Sequence, residues 1–254
     1  SAASDVYKRQ GQWRINGAKE FITNSGTDIT SLVTVTAVTG TVEGRTGHDG
    51  RPAKEISTIL VPAGTEGFSV AKAYDKVGWN SSDTHALHFS DVRVPEENLL
   101  GARGRGFAHF LEILDEGRIA IAALATGAAQ GCVDESVAYA KQRTSFGQKI
   151  GQFQAVSFKI ARMQARAHAA RLAYYEAAQK MLAGKPFKTE AAMAKLIAGE
   201  AAMDNARDAT QVFGGYGFMN ETLVARHYRD SKILEVGEGT TEVQLMLIAR
   251  ELGL

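Results

Sequence analysis

Val156, Ile160, Met163, Ala167, Ala170, Tyr174, Ala177 and Met181 recur in alternating steps of four and three residues, and this stripe constrains the fold more than any other feature. Such spacing lines one face of a single long helix. At roughly 3.5 residues per repeat it suits the shallow crossing of a helical bundle. These side chains are therefore assigned to a core and not to a ligand-binding face. Alanine-rich sequence on both sides extends the pattern, and alanine favours closely packed helices. Helices are expected over 105–142 with a break near Leu114, then 152–183, 188–213, 222–235 and 241–252. Gly184 and Pro186 mark a turn between two of them.

The first hundred residues follow a different pattern. They hold Pro52, Pro62 and Pro95, whereas only Pro186 interrupts the remainder. Alternating and β-branched runs at 31–38, 56–61 and 87–94 predict strands. Residues 39–54, rich in glycine, threonine and charge without a period, predict an exposed hairpin loop. The fold class is α+β: a partial antiparallel β-barrel or sandwich domain over 11–100, then an all-α four-helix-bundle domain over 101–254, with the boundary near residue 101. Residues 1–10 are read as a leader outside the fold.

At 254 residues and 44% apolar composition the chain can bury a sizeable core. Its 29 basic and 28 acidic residues leave a net charge of +1, which gives no global electrostatic reason for nucleic acid or membrane as a partner. The single cysteine, Cys132, excludes an intramolecular disulfide framework and fits a reducing compartment. No apolar run approaches the roughly 20 residues a membrane span needs, and no signal-peptide pattern opens the sequence. A cytoplasmic protein without membrane insertion is the expectation. His48, His85, His88, His109, His168 and His227 form no metal-ligand spacing, so no metal is assigned. Ser81-Ser82-Asp83 is not accompanied by the Gly-x-Ser-x-Gly elbow of a nucleophile.

One loop stands apart. Gly237-Glu238-Gly239-Thr240-Thr241 sets one carboxylate between two glycines, where the backbone can approach a ligand closely. Thr241 and Gln244 have capping-box spacing, so the last helix is expected to begin just behind the glutamate. From the loop alone, a solvated turn acid and a positioned acid both remain open.

Arg229-Asp230-Ser231-Lys232-Ile233-Leu234-Glu235 followed by Gly237-Glu238-Gly239-Thr240 resembles the C-terminal signature of the acyl-CoA dehydrogenases. Four more segments agree in order and spacing. They are Trp13-Arg14-Ile15-Asn16-Gly17-Ala18-Lys19 with Phe21-Ile22-Thr23-Asn24, Asp91-Val92-Arg93-Val94-Pro95, Arg143-Thr144-Ser145-Phe146-Gly147, and Gln211-Val212-Phe213-Gly214-Gly215-Tyr216-Gly217-Phe218. The resemblance covers nearly the whole sequence, but only the later part of the family's pattern: no counterpart is seen for the N-terminal helical domain or the first part of the middle β domain.

The resemblance implies FAD-dependent desaturation of an acyl-CoA thioester between Cα and Cβ. Such chemistry needs a base for the α-proton and an oxidised flavin for the hydride from the β-carbon, since no side chain can store a hydride. Glu238 is implied as that base, and excluding water strengthens a carboxylate in such a role. Some relatives carry the base on the residue before an arginine of a facing helix; here that position is Gly117, while Glu116 is one residue out of register. Asp115, Arg118 and Gly239 match substrate-contacting positions. Phe21, Ile22 and Thr23 match the segment against the flavin ring. Arg143, Ser145 and Phe146 match residues that reach the FAD diphosphate and adenine of a neighbouring subunit, with Gln211, Gly214 and Gly215 as the strip across that interface. Phe153, Gln154, Thr240 and Glu242 complete the implied cofactor-binding set.

FAD shared in this way implies a homodimer or homotetramer, and the resemblance names an electron-transfer flavoprotein as electron acceptor. An acyl-CoA oxidase and a non-catalytic flavin-fold scaffold remain the alternatives. The sequence by itself, without the missing part of the pattern, is expected to be inactive. Gly237 stands where many relatives have tyrosine, which predicts room for a branched or bulky acyl group.

Overall fold

In the computed structural model, residues 5–9, 11–47 and 49–254 are described, so His48 lies outside them. The chain divides into two compact units, residues 1–76 with 80–112, and residues 77–79 with 113–254.

The first unit is built on a seven-stranded sheet. Its strands are β1 (Asp5–Arg9), β2 (Gln12–Thr23), β3 (Leu32–Thr46), β4 (Pro52–Pro62), β5 (Phe68–Val70), β6 (Thr84–Pro95) and β7 (Leu99–Leu100). Their spatial order is β5-β6-β2-β1-β3-β4-β7. All pairings are antiparallel except β1 with β3. Alternation does the sorting: Trp13 and Ile15 on β2 and Val33, Val35 and Ala37 on β3 turn inward, while Arg14 and Thr34 between them are exposed and Thr36 is half-buried. Together with Ile59, Val61, Leu87, Phe89, Val92 and Val94 they form one apolar core.

Two expectations are corrected in this unit. Residues 39–54 are not a loop, because β3 runs on to Thr46 and β4 starts at Pro52, with the turn confined to 47–51. Extended backbone suits β-branched Thr39, Thr41, Val42 and Thr46, but from Thr41 to Thr46 the side chains are exposed on both faces, so no hydrophobic alternation betrays the strand. Residues 1–10 are not wholly outside the fold either: Asp5–Arg9 is the strand between β2 and β3, and the rest of that leader lies outside the described residues. The compact units divide between Glu112 and Ile113. The first turns of the next helix belong with the sheet, where a Cβ on Gly106 would sit 2.5 Å from the Ser57 carbonyl carbon.

The second unit is helical. Helix α1 (Gly106–Gln142) begins in the first unit and continues into the second without the break expected near Leu114. A hairpin of β8 (Thr144–Ser145) and β9 (Gln148–Lys149) leads to α2 (Gln154–Leu182) and α3 (Lys188–Phe213). The predicted final helices follow with one change: 222–235 is two pieces, α4 (Leu223–Ser231) and α5 (Ile233–Val236), before α6 (Thr241–Glu251). The long stripe is core as expected. Met163, Ala167, Ala170 and Ala177 are buried, and Ile160, Tyr174 and Met181 pack against them.

Alanine dominates the facing surfaces: Ala122, Ala125 and Ala129 on α1, and Ala191, Ala194, Ala198 and Ala202 on α3, are wholly buried. Short side chains allow close helix axes, so small groups suffice to fill the core. Residues 77–79 join this unit through Trp79, whose backbone N–H donates to Asp230 Oδ1 at 2.7 Å and whose ring packs on the alanine core.

Asp208 on α3 ties that helix to α2 through Arg166 and through Lys159 at 3.3 Å. Burial alone would raise its carboxyl, but the Arg166 hydrogen bond and both cations outweigh it and hold the group below the usual carboxylate range. The folded value being depressed, this stabilisation is present above the unfolded value of about 3.9 and is lost as pH falls through the folded one. Asp208→Asn is expected to destabilise the protein by about 1–2 kcal/mol at neutral pH. In urea unfolding measured against wild type, that gap should narrow below about pH 4.

Candidate functional site

Glu238 lies in a loop whose backbone is unusual. Glu238 itself has φ 54° and Gly239 has φ 94°, two successive residues in the left-handed region. Glycine tolerates this; a glutamate there costs roughly 1–2 kcal/mol and is held by its surroundings. Gly237 is extended at φ −68°, ψ 155°. The exposed Glu238 carboxylate lies beside α1 at Gly117, which lacks a side chain. A Cβ on Gly117 would stand 2.9 Å from Glu238 Oε2, so the exposed carboxylate would have to shift to admit one. One residue on, Arg118 is 3% exposed, and its guanidinium donates to Asp115 on the same helix. Asp115, Gly117 and Arg118 thus share the α1 segment facing the loop, while Glu116 is exposed.

Behind the glutamate the expected cap is displaced by one residue. Thr240, not Thr241, is the N-cap of α6, and its hydroxyl accepts from the Val243 N–H at 3.4 Å. Freed from capping, Gln244 turns inward, is fully buried, and donates through Nε2 to the carbonyls of Gly239 at 3.0 Å and Glu238 at 3.3 Å. Lys195 on α3 approaches from the other side, 1% exposed, with Nζ donating to Gly239 O at 2.7 Å and Glu235 O at 3.0 Å. Burial pushes its ammonium down to about 8 from an ordinary 10.5, against the raising influence of Glu235, Glu238 and Glu242. Glu242, in the first turn of α6, is held below the usual carboxylate range, first by its own backbone N–H and next by the Thr240 hydroxyl.

Neither Lys195 nor Gln244 was singled out from sequence as contacting the loop. The signal for Lys195 was available: it lies four residues after Ala191 and three before Ala198, on the apolar stripe of α3, where a surface lysine does not belong.

A second feature of the helical unit is a cavity of about 550 Å³. Arg143, Ser145, Gly214 and Gly215 line it together with Tyr139, Phe213 and Tyr216. The Tyr139 and Phe213 rings stack at 4.1 Å, and the Arg143 guanidinium lies 6.0 Å from the centre of the Tyr216 ring. Within one chain Arg143 and Ser145 thus lie beside Gly214 and Gly215. Gln211 is exposed one turn before the end of α3, and its carbonyl accepts from the N–H of Gly214. Phe146 and Gly147 occupy the two-residue turn of the β8–β9 hairpin, both with positive φ, which leaves the Phe146 ring 94% exposed. Phe153, edge-on to Phe146 at 6.4 Å, precedes α2, whose first residue is the exposed Gln154.

In the sheet unit, β2 loses register with β6 between Lys19 and Ile22. This irregularity puts Phe21 at φ 60° and leaves its ring 74% exposed, 5.3 Å from the Tyr74 ring. Ile22 and Thr23 resume pairing opposite His85 and Thr84.

The family model for the acyl-CoA dehydrogenase C-terminal domain matches residues 104–253, and that for the middle domain matches residues 1–92, including the stretch read as a leader. A short-chain specific acyl-CoA dehydrogenase of Megasphaera elsdenii is 44% identical over 93% of this chain and 59% of its own length. The mitochondrial short-chain specific enzyme of Mus musculus is 41% identical over 99% of this chain and 59% of its own length. The structure of butyryl-CoA dehydrogenase from Megasphaera elsdenii superposes on the whole chain and 64% of its own, with a TM-score of 0.91 and 41% identity. The chain thus spans about three fifths of the length of these relatives. FAD is the cofactor of the family they represent. With the two models together matching most of the sequence and such identities sustained along it, this chain belongs to the acyl-CoA dehydrogenase family.

Proposed function

We propose that this sequence forms part of an enzyme that desaturates an acyl-CoA thioester between Cα and Cβ, with Glu238 removing the α-proton. The observation that carries this reading is the pairing of Glu238 with Gly117: the carboxylate occupies space that a side chain on α1 would fill. The α-hydrogen of a thioester is weakly acidic, so its removal needs a base within about 3 Å, aimed at one carbon. The left-handed backbone provides that aim by sending the Glu238 side chain away from the buried carbonyls behind it. Arg118 and Asp115 contribute a buried guanidinium and its counter-charge on the facing helix, consistent with a substrate-contacting segment.

The cavity fits one end of FAD. Arg143 offers a fork of donors for phosphate, Ser145 a hydroxyl, and Tyr216 and the Tyr139–Phe213 stack offer aromatic faces. Gly214 and Gly215 would have open space even around an added Cβ, so their backbone is accessible. Phe146 and Gln211 extend this surface, and Phe21, Ile22 and Thr23 are assigned to the flavin ring. Bound FAD supplies the acceptor for the β-hydride, which no residue here can hold. We assign an electron-transfer flavoprotein as the next acceptor, a homo-oligomeric holoenzyme, and a cytoplasmic setting.

Three outcomes test this reading. Glu238→Gln in the full-length flavin-loaded enzyme should lower flavin reduction by acyl-CoA about 10³-fold with flavin still bound; reduction at the wild-type rate would remove Glu238 as the base. The 254-residue polypeptide made by itself should purify without stoichiometric flavin and turn over negligible acyl-CoA, checked by its visible absorbance and by dye reduction. An acyl-CoA panel should favour branched or bulky acyl groups, because Gly237 carries no side chain next to Glu238. Peroxide formed stoichiometrically in air would instead identify an oxidase.

A further inference from the structure

We propose that Lys195 is a positioning residue for the loop that carries Glu238, acting with Gln244 as a two-sided clamp on the loop's carbonyls. The inference rests on the reading of Glu238 as the base. Three consecutive features need an explanation: a non-glycine residue at φ 54°, a glycine at φ 94°, and a helix that starts immediately afterwards. Left-handed backbone at a glutamate is unfavourable unless the surroundings fix it. The fixing groups are visible. Gly239 O accepts from both Lys195 Nζ at 2.7 Å and Gln244 Nε2 at 3.0 Å, Glu235 O accepts from Lys195 at 3.0 Å, and Glu238 O accepts from Gln244 at 3.3 Å.

A buried ammonium is costly, and an apolar side chain of similar length would fill the same space without that cost. What the ammonium provides instead is a charged donor that bridges two carbonyls four residues apart, one at the end of α5 and one in the loop. With the carbonyls drawn inward, the Glu238 side chain is directed outward toward Gly117. The glycine on α3 four residues after Lys195 serves the same fit: a Cβ on Gly199 would lie 2.8 Å from the Leu234 carbonyl oxygen, so α3 could not come this close to α5.

The clamp has a pH dependence. Facing Lys195 are Arg118 on α1, Glu235 on α5, Glu238 in the loop and Glu242 on α6. Burial lowers Lys195 to about 8 despite the three carboxylates, so the cation is present below that pH and lost above it. Opening the loop would hydrate the group and return it toward 10.5, so the open form binds the proton more tightly and the closed loop is favoured as pH rises through about 8.

Lys195→Met in the full-length flavin-loaded enzyme tests this. The limiting rate of flavin reduction should fall about 10- to 100-fold while the apparent acyl-CoA affinity changes less than about threefold. Hydrogen exchange at residues 235–243 should speed up, with α2 unchanged. In wild type, exchange of that segment, corrected for its intrinsic pH dependence, should fall as pH rises through about 8, and the variant should lack this step. A variant with wild-type reduction rate and wild-type loop exchange overturns the proposal. Should Lys195→Met not fold, Gln244→Met decides: wild-type reduction rate and wild-type loop exchange in that variant also overturn the clamp. Glu238→Gln run in parallel separates the two claims. Undiminished reduction there would sink the base assignment, while loop exchange would still report on the clamp.

Discussion

The carbonyls behind Glu238 are bound by two buried donors, and the geometry of the loop follows from that interaction. A loop between two short helices would ordinarily satisfy its carbonyls with water and sample many directions. Here Lys195 and Gln244 take those carbonyls from inside the helical unit. The unfavourable left-handed conformation at Glu238 is thereby offset by bonds that exist only in that conformation. Glu238 can then remain exposed and yet directed, with Gly117 leaving the space it needs.

That clamp depends in turn on close helix packing. Lys195 reaches the loop because α3 lies against α5 with nothing larger than hydrogen at Gly199, and because its neighbours on the same face are Ala191, Ala194, Ala198 and Ala202. Larger apolar residues would bury more area each, but they would hold the axes apart. The alanine-rich sequence is therefore not a weak core. It brings a polar side chain within 3 Å of a backbone two elements away, and it is continuous with the segment that anchors Trp79 through Asp230.

Much of this was legible in the sequence where periodicity reports burial. The stripe from Val156 to Met181 identified α2, and α3 spans the predicted 188–213. Glu238 and Gly117 were both named, and they are neighbours in space. The failures have distinct physical causes. Residues 39–54 form strands whose distal parts bury nothing, so alternation had nothing to report. The Thr240–Thr241 step admits two capping registers, and the choice between them decides whether Gln244 caps a helix or enters the core. Lys195 carries no motif of its own, and only its position in an alanine stripe marks it as buried. The grouping of Arg143 with Gly214 and Gly215 in one cavity is set by helix ends far apart in sequence, which no local spacing records.

The most direct measurement of the central claim is a crystal structure of the full-length protein with a non-reactive acyl-CoA analogue bound. The account places a Glu238 carboxylate oxygen about 3–3.5 Å from the α-carbon, the range of a productive approach. It also expects Gly239 O still bound to Lys195 and Gln244. A thioester seated with its α-carbon out of reach of Glu238, or against a different acidic residue, would contradict it.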